Sequence, residues 1–189
     1  KMLGNEGSHA CYVWFEDCQV PADSIVGGQE GRGLKAALRG INHARLHVAA
    51  TCVGQAIRLI TEMTQYASKR EQFGKRIGEF GQIAAMLADS RAEMAAGRAL
   101  CLDCAKQFDA GDQIPFIDIA SAKLFCSEMV SRVADRAVQV MGGLGYMEDL
   151  SDVPRLFRDV RLFRIFEGAS QVQQGNIARS MMKDNESLS

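Results

Sequence analysis

The stretch IDIASAKLFCSEMVSRVADRAVQVMGG, which runs from Ile117 to Gly143, decides the fold because its apolar residues recur at helical spacing. One apolar stripe follows the predicted helix through Cys126, Val130, Val133, Ala137 and Val140. The glycine pair Gly142-Gly143 is a typical helix end, since glycine accepts the left-handed backbone found there. We therefore predict a long amphipathic helix over residues 117–141, which must bury its stripe against neighbouring helices.

Two further long helices precede this one. Residues 82–108 form the second, whose apolar stripe is predicted to contain Ile83, Leu87, Ser90, Met94, Gly97, Cys101 and Cys104. Because Ser90 and Gly97 are small, a neighbouring helix can approach this face closely. Residues 34–68 form the first helix, whose predicted apolar stripe is Leu46, Ala50, Val53, Ile57 and Ile60.

Shorter segments complete the predicted architecture. Short helices are expected near residues 152–161 and from Ser170 to Met182, with Ser170 as a candidate helix cap. Residues 69–81 are predicted to be a loop, and residues 184–189 a disordered polar tail. Because connections of modest length favour antiparallel neighbours, the sequence predicts an all-α fold, an up-down four-helix bundle.

The first 28 residues follow a different pattern. The segment from His9 to Glu16 is rich in strand-forming residues, and Gln19-Val20 can form a short returning strand. We predict that residues 1–28 contain a short β-hairpin and a linker, and that residues 29–189 form the helical domain.

Composition and charge exclude several classes of protein. Hydrophobic residues make up 47% of the chain, and the formal net charge is -1, so no bulk charge attracts nucleic acid or anionic membrane. No run of about 18 apolar residues occurs, so no membrane span is expected. Four of the six cysteines fall in predicted helices and are read as reduced core thiols. The spacing of Cys101 and Cys104, without a second pair, does not favour a metal or redox site.

Four arginines recur at every third position, at Arg155, Arg158, Arg161 and Arg164. A nucleic-acid-binding stripe is one interpretation of this spacing. Acidic residues lie among and around the arginines, and no aromatic stacking platform accompanies them. Salt bridges to other helices are therefore the favoured interpretation, and nucleic acid is not an expected partner.

One acid lies in the segment FRIFEGASQVQQ, from Phe163 to Gln174. Glu167 follows Phe166 and precedes Gly168. A carboxylate beside an aromatic ring is poorly hydrated, and such a group can accept a proton from a weakly acidic carbon. The alternative is a surface acid ahead of a helix, because isolated carboxylates are mostly solvated. These residues alone leave both interpretations open.

Four motifs, in this order along the chain, carry a family resemblance. They are VWFEDCQVP at 13–21, REQFGK at 70–75, QVMGGLGY at 139–146 and FRIFEGASQVQQ at 163–174. At these separations they resemble the acyl-CoA dehydrogenase family over nearly the whole chain, from about residue 1 to residue 182. The resemblance implies the C-terminal helical domain of a longer protein, preceded by the end of its middle β-domain.

This resemblance implies an FAD-dependent enzyme in which Glu167 removes the α-proton of a fatty acyl-CoA while hydride passes to FAD. Some family members carry the base just before an arginine of the first long helix, and the matching residue here, Ala44, cannot act as a base. The alternative function is a non-catalytic oligomerisation or assembly module that keeps the helical fold. The isolated chain is expected to be inactive, because the residues that hold the flavin ring lie mostly in the preceding β-domain.

The same resemblance assigns contacts to ligands. Contacts with FAD are implied for Arg70, Gln72, Phe73, Gln139, Gly142, Gly143 and Gln171. Contacts with acyl-CoA are implied for Asn42, Arg45 and Gly168. Three alternatives stay open: a solvated basic loop at Arg70, a buried ion pair at Arg45, and a simple helix cap at Gly142-Gly143.

The resemblance also implies partners. A homodimer or homotetramer is expected, with an electron-transfer flavoprotein as the electron acceptor. The expected location is the cytoplasm of a bacterium or the mitochondrial matrix of a eukaryote. Phe80-Gly81 and residues 158–168 resemble the very-long-chain branch of the family, which favours a long-chain substrate.

Overall fold

The computed structural model describes residues 1–111 and 116–186, and helices dominate it. Three long helices come first: α1 (Gly33–Lys69), α2 (Gly81–Asp109) and α3 (Phe116–Met141). The short helices α4 (Gly143–Tyr146) and α5 (Val153–Val160) lead to the last helix, α6 (Ser170–Glu186). Single 3-10 turns lie at Ala22–Ser24, Ile77–Glu79 and Arg161–Arg164. Helices α1, α2 and α3 pack against one another and α6 packs on α3, which confirms the predicted helical bundle.

Helix α3 lies at the centre of the core. Its predicted stripe is buried in full, at Cys126, Val130, Val133, Ala137 and Val140. Helices α1, α2, α5 and α6 all pack against it. Since burying one large apolar side chain is worth about 1.5–3 kcal/mol, this helix supplies much of the hydrophobic stabilisation.

Helix α2 approaches α3 closely at a glycine, as predicted. A Cβ atom placed on Gly97 would lie 3.1 Å from the sulfur of Cys126. The Cys126 thiol donates a hydrogen bond to the Gly97 carbonyl at 3.6 Å. Residues of the predicted α2 stripe that are fully buried are Ser90, Met94, Gly97, Cys101 and Cys104. The α2–α3 contact therefore depends on the small side chains that the sequence indicated.

Helix α1 buries a face that overlaps the predicted one only in part. Its buried apolar residues are Val48, Ala49, Cys52, Val53, Ala56, Leu59, Met63 and Ala67. Of the predicted stripe, Val53 is fully buried, whereas Ala50 and Ile57 are exposed. Leu46 and Ile60 are partly buried and pack against the core, so the prediction is right at three of its five positions and wrong at Ala50 and Ile57.

The predicted β-hairpin near the N-terminus does not form. Residues 9–16 and Gln19-Val20 have no regular structure. The side chains of Tyr12 and Trp14 are 84% and 75% exposed. A two-stranded hairpin is marginal in water without partner strands or a core to cover, which explains why strand-forming residues alone do not produce it here. The segment is held at Asn5, whose backbone N–H donates to Asp159 Oδ1 at 2.5 Å.

A two-stranded hairpin forms instead in the segment that was predicted to be a loop. Strand β1 (Glu71–Gln72) pairs antiparallel with β2 (Lys75–Arg76). The two turn residues, Phe73 and Gly74, have φ values of 55° and 80°. Positive φ at both central residues gives the twist that suits a two-residue hairpin, so local turn geometry produces these short strands.

The C-terminal helix is longer than predicted. Helix α6 continues to Glu186, past the expected end at Met182, so the predicted disordered tail is wrong for residues 184–186. Residues 187–189 of that predicted tail lie outside the described residues. Within the described ranges, no helix is long and apolar enough to cross a membrane.

The four helical cysteines are buried free thiols, as predicted, at Cys52, Cys101, Cys104 and Cys126. The sulfur atoms of Cys101 and Cys126 lie 3.7 Å apart between α2 and α3. Burial raises the pKa of Cys52 to about 12. These thiols therefore behave as small apolar core residues.

Three of the four regularly spaced arginines make salt bridges, but only that of Arg164 reaches another helix, so the favoured interpretation is confirmed for Arg164 alone. Arg155 pairs with Asp159 at 3.3 Å within α5. Arg158 pairs with Glu148. Arg164 pairs with Glu128 of α3 at 2.9 Å.

Candidate active site

The segment with the candidate base forms a strained turn between the last 3-10 turn and α6. Glu167 has a φ of 52° and Gly168 a φ of 94°. A side chain in the left-handed region costs roughly 1–2 kcal/mol, so Glu167 adopts this backbone only because its surroundings enforce it.

Two side chains bind the carbonyl of Glu167. Arg45 of α1 donates through Nε at 3.1 Å. Gln173 of α6 donates through Nε2, also at 3.1 Å. The turn is thus attached to two helices that enclose it.

A buried lysine binds the carbonyls on either side of the turn. Lys123 of α3 has no exposed surface. Its Nζ donates to the Phe163 carbonyl at 2.8 Å and to the Gly168 carbonyl at 2.7 Å. Burial lowers the pKa of Lys123, and the charge of Arg45 adds to that lowering.

Arg45 is itself fixed by three contacts. Besides the Glu167 carbonyl, its Nη1 donates to Asn42 Oδ1 at 2.8 Å. Its guanidinium lies over the ring of Phe116, 5.1 Å from the centroid. Burial lowers the pKa of Arg45, and the Glu167 charge opposes that effect. Among the described residues Arg45 makes no salt bridge, so the alternative of a buried ion pair is not what the structure shows.

Ser170 starts α6, as predicted, but its hydroxyl does not act as the predicted cap. It donates to Glu128 Oε1 of α3 at 2.6 Å. Glu128 also accepts from Arg164 at 2.9 Å. Ser170 is itself the first residue of α6, and its hydroxyl and Arg164 both bind the Glu128 carboxylate, so both ends of the turn are attached to α3.

The functional groups of Glu167 itself are left available. Its side chain is half-buried. Within the described part of the chain, neither its carboxylate nor its backbone N–H has a hydrogen-bond partner. A carboxylate and an N–H donor on one rigid turn can act on one ligand, the first as a base and the second as a donor to a carbonyl oxygen.

A second candidate region lies at the hairpin and the end of α3. A concavity of about 380 Å³ is lined by Tyr66, Arg70, Gln72, Phe73, Ile77, Phe80, Ile83, Val140, Met141, Gly142 and Gly143. Five of the seven predicted FAD residues, all but Gln139 and Gln171, therefore meet at one surface. Gln139 and Gln171 are exposed and lie outside this concavity.

The chemistry of this concavity fits part of a dinucleotide. Arg70 is exposed and makes no salt bridge within the described residues, so its planar fork is free for a phosphate. Phe73 is 92% exposed and offers a stacking face. Gly142 has a φ of 58°, and nothing lies within 4 Å of a Cβ placed on it, so a ligand can approach the backbone there. Gly142 also ends α3, through its N–H to the Val138 carbonyl at 2.9 Å, as the cap interpretation expects.

Sequence reasoning missed Lys123 and Gln173, two of the residues that shape the Glu167 turn. The signal for Lys123 was its position, three residues before Cys126 on the buried stripe of α3. The signal for Gln173 was weaker, because a glutamine in a polar helix looks exposed although this one is buried in full.

Comparison with known proteins supports one family. The family model described as "Acyl-CoA dehydrogenase, C-terminal domain" matches residues 31–182. Mouse very long-chain specific acyl-CoA dehydrogenase is 36% identical over 172 residues, covering 91% of this chain and 26% of the relative. The structure of butyryl-CoA dehydrogenase from Megasphaera elsdenii matches with a TM-score of 0.78 and 35% identity, covering 82% of this chain and 40% of that chain. A structure of the electron transferring flavoprotein of Acidaminococcus fermentans contains a chain that matches with a TM-score of 0.81 and 32% identity. The match covers 88% of this chain and 43% of that chain.

The chain belongs to the acyl-CoA dehydrogenase family. It spans less than half the length of these relatives.

Proposed function

We propose that this chain is the C-terminal part of an FAD-dependent acyl-CoA dehydrogenase, with Glu167 as the catalytic base. The observation that carries the proposal is the Glu167 turn, whose carboxylate and backbone N–H have no hydrogen-bond partner among the described residues. Arg45 and Gln173 fix its carbonyl side. The family membership supplies the reaction class, α,β-dehydrogenation of a fatty acyl-CoA.

Each residue of the site has a separate role in this proposal. The Glu167 carboxylate takes the proton from the α-carbon. The Glu167 N–H donates to the thioester carbonyl oxygen, where negative charge develops as that proton leaves. Asn42, Arg45 and Gly168 shape the wall against which the acyl-CoA lies. FAD, when bound, accepts the hydride from the β-carbon.

The concavity at the hairpin is proposed to bind the pyrophosphate and adenosine side of FAD. Arg70 would hold the pyrophosphate, with Gln72 and Phe73 beside it and Gly142 and Gly143 giving backbone access. The polar residues Gln139 and Gln171 are proposed to complete the contacts from outside this concavity.

The remaining proposals concern partners. A homodimer or homotetramer brings the hairpin of one subunit to the FAD of another. An electron-transfer flavoprotein is proposed as the acceptor, which the match to the Acidaminococcus fermentans structure supports. The match to the mouse relative supports a long-chain substrate. The location is proposed to be the bacterial cytoplasm or the mitochondrial matrix.

The test of Glu167 uses the FAD-loaded protein that contains this chain, with flavin reduction by an acyl-CoA followed by stopped-flow absorbance. Glu167→Gln keeps the shape and removes the proton acceptor, so reduction should slow by at least about a hundredfold to ten-thousandfold. Substrate binding should persist, since the N–H of residue 167 remains.

A second substitution provides the control for that test. Ala44→Glu, added to Glu167→Gln, should restore part of the activity, because Ala44 precedes the arginine that contacts the turn. Near-normal bleaching of the flavin in Glu167→Gln alone would reject the proposed base. It would favour the alternative, an assembly module that keeps the helical fold.

The 189-residue chain alone is expected to bind FAD weakly. Arg70, Gly142 and Gly143 offer contacts to one side of the cofactor only, and the described residues form no enclosed site for the flavin ring. Fluorescence titration should show no saturation at micromolar FAD. Tight binding, together with a yellow preparation, would contradict this expectation.

A further inference from the structure

Lys123 is an unusual residue for the centre of α3. It has no exposed surface, and its buried neighbours on this helix are apolar apart from Ser127. Within the described residues no carboxylate lies within salt-bridge distance of it. Lysine is almost never buried in full without a charged partner, because removing its amino group from water is costly.

The two acceptors of Lys123 flank one segment. Phe163 is the last buried residue before the turn, and Gly168 closes it. A single nitrogen donates to both carbonyls, at 2.8 Å and 2.7 Å. This shared donor fixes the distance between the two ends of the turn, and the residues between them must bulge outward.

The bulge contains the strained backbone of Glu167. Its φ of 52° is followed by a φ of 94° at Gly168. Arg45 and Gln173 bind the carbonyl of Glu167, and Gln173 also donates to the Gly168 carbonyl at 3.3 Å, but among the described residues only Lys123 binds both Phe163 and Gly168. Without Lys123, the Phe163 carbonyl would lose its side-chain donor and the Gly168 carbonyl would keep only the longer bond from Gln173, so the turn would relax toward a conformation that pairs them again.

We propose that Lys123 is a positioning residue for the Glu167 turn, which by binding the carbonyls of Phe163 and Gly168 aims the Glu167 carboxylate and N–H at the substrate. Its catalytic consequence rests on the proposed function, whereas its effect on the turn does not. Lys123 makes no contact with substrate in this assignment.

The first test compares amide hydrogen exchange in the 189-residue chain carrying Lys123→Met or Val133→Ala. Methionine keeps the length of the side chain and removes the donors. Val133 is buried on the same helix about 15 Å away, so its truncation lowers stability without touching the turn. The reporters are the amides of Ile165 and Phe166, which both donate to the Leu162 carbonyl.

Lys123→Met should raise exchange at these two amides roughly tenfold to a hundredfold beyond any change in core amides, the effect of losing hydrogen bonds to a charged group. Val133→Ala should change the exchange rates of turn and core amides equally, by the amount that its loss of global stability predicts. Equal behaviour of the two variants would overturn the proposal.

A second measurement uses the wild-type chain and does not depend on the variant folding. Hydrogen-bond scalar couplings should connect Lys123 Nζ with the carbonyl carbons of Phe163 and Gly168. An amino group that exchanges freely with water, or one coupled to other carbonyls, would overturn the assignment.

The third measurement is flavin reduction in the FAD-loaded protein. Lys123→Met should lower the rate constant of reduction at least tenfold while the dissociation constant for acyl-CoA changes less than about threefold, because binding and chemistry use different contacts. If the rate constant of reduction and the affinity for acyl-CoA fell equally, or if neither changed, the proposed effect of Lys123 on catalysis would be overturned. If wild-type protein fails to reduce flavin, the proposed function fails, and the exchange experiment still decides whether Lys123 holds the turn.

Discussion

Glu167 owes its conformation to residues far away in sequence. Local preference does not place a glutamate at a φ of 52°. Hydrogen bonds from Arg45, Lys123 and Gln173 hold the carbonyls of this segment. The helical bundle therefore holds the candidate base in place, and loss of one of these donors should change the conformation of the turn.

Gly168 provides a direct test of this turn. A Cβ atom on Gly168 would lie 2.2 Å from Nε2 of Gln173, at a φ of 94°. Gly168→Ala should therefore lower the free energy of unfolding by about 1–3 kcal/mol. Urea denaturation followed by circular dichroism measures this loss.

Gly175 in α6 is the matched control. Nothing lies within 4 Å of a Cβ placed there. Gly175→Ala should be neutral or stabilise by up to about 1 kcal/mol, as expected for a helix interior. Equal midpoints for Gly168→Ala and the wild type would mean that the turn is not rigid.

At the residue scale, the family resemblance pointed to Glu167 and Arg45, and the apolar surroundings of Arg45 predicted that its charge needs a partner. It did not identify Lys123, since a lysine is exposed in most helices and only its register on α3 marks it as buried. The hydroxyl of Ser170 was misassigned because Glu128, its actual partner, lies 42 residues away in sequence.

At the scale of elements, periodicity located α2 and α3 to within a residue or two, because each has one apolar stripe. On α1 it was right at Leu46, Val53 and Ile60 and wrong at Ala50 and Ile57, which stay exposed. Strand propensity failed at residues 9–16, which have no partner strand among the described residues, whereas two residues with positive φ allow a hairpin in a polar segment. Propensity is a weak guide where tertiary pairing decides.

The close packing of α2 on α3 predicts a strong effect at Gly97. Added carbon atoms would meet the sulfur of Cys126 at 3.1 Å and Cε of Met129 at 3.3 Å. Gly97→Val should destabilise the chain by about 1–3 kcal/mol through overpacking. The matched control is Gly54→Val in α1, which has open space and should be near neutral. Thermal denaturation separates the two, and an unchanged midpoint for Gly97→Val would show that the helices can move apart.

At the scale of the whole molecule, large apolar side chains remain uncovered. Phe73 and Tyr146 are 92% and 82% exposed, at the hairpin and just beyond α3. Exposed apolar surface of this kind marks interfaces. We expect the purified chain to associate, so light scattering after size exclusion should give a mass above 20.7 kDa that rises with concentration.

A pair of variants tests which surface is responsible. Phe73→Ser should weaken association, because it removes the aromatic side chain at the tip of the hairpin. Met181→Ser, on the exposed side of α6, should not. A monomeric mass at high micromolar concentration would contradict the prediction.

The Glu167 turn also sets an order of events in folding. Its bond to Arg45 joins residues 122 positions apart, and those of Lys123 span 40 and 45 positions. Contacts of such long range form after local helix pairs such as α2 and α3, since closing long loops costs chain entropy first. The geometry of the Glu167 turn therefore forms late in folding, and a ligand that recognises this turn would bind only fully folded chains. Such a ligand would shift the folding equilibrium toward the native state and would report how much of a preparation has fully matured.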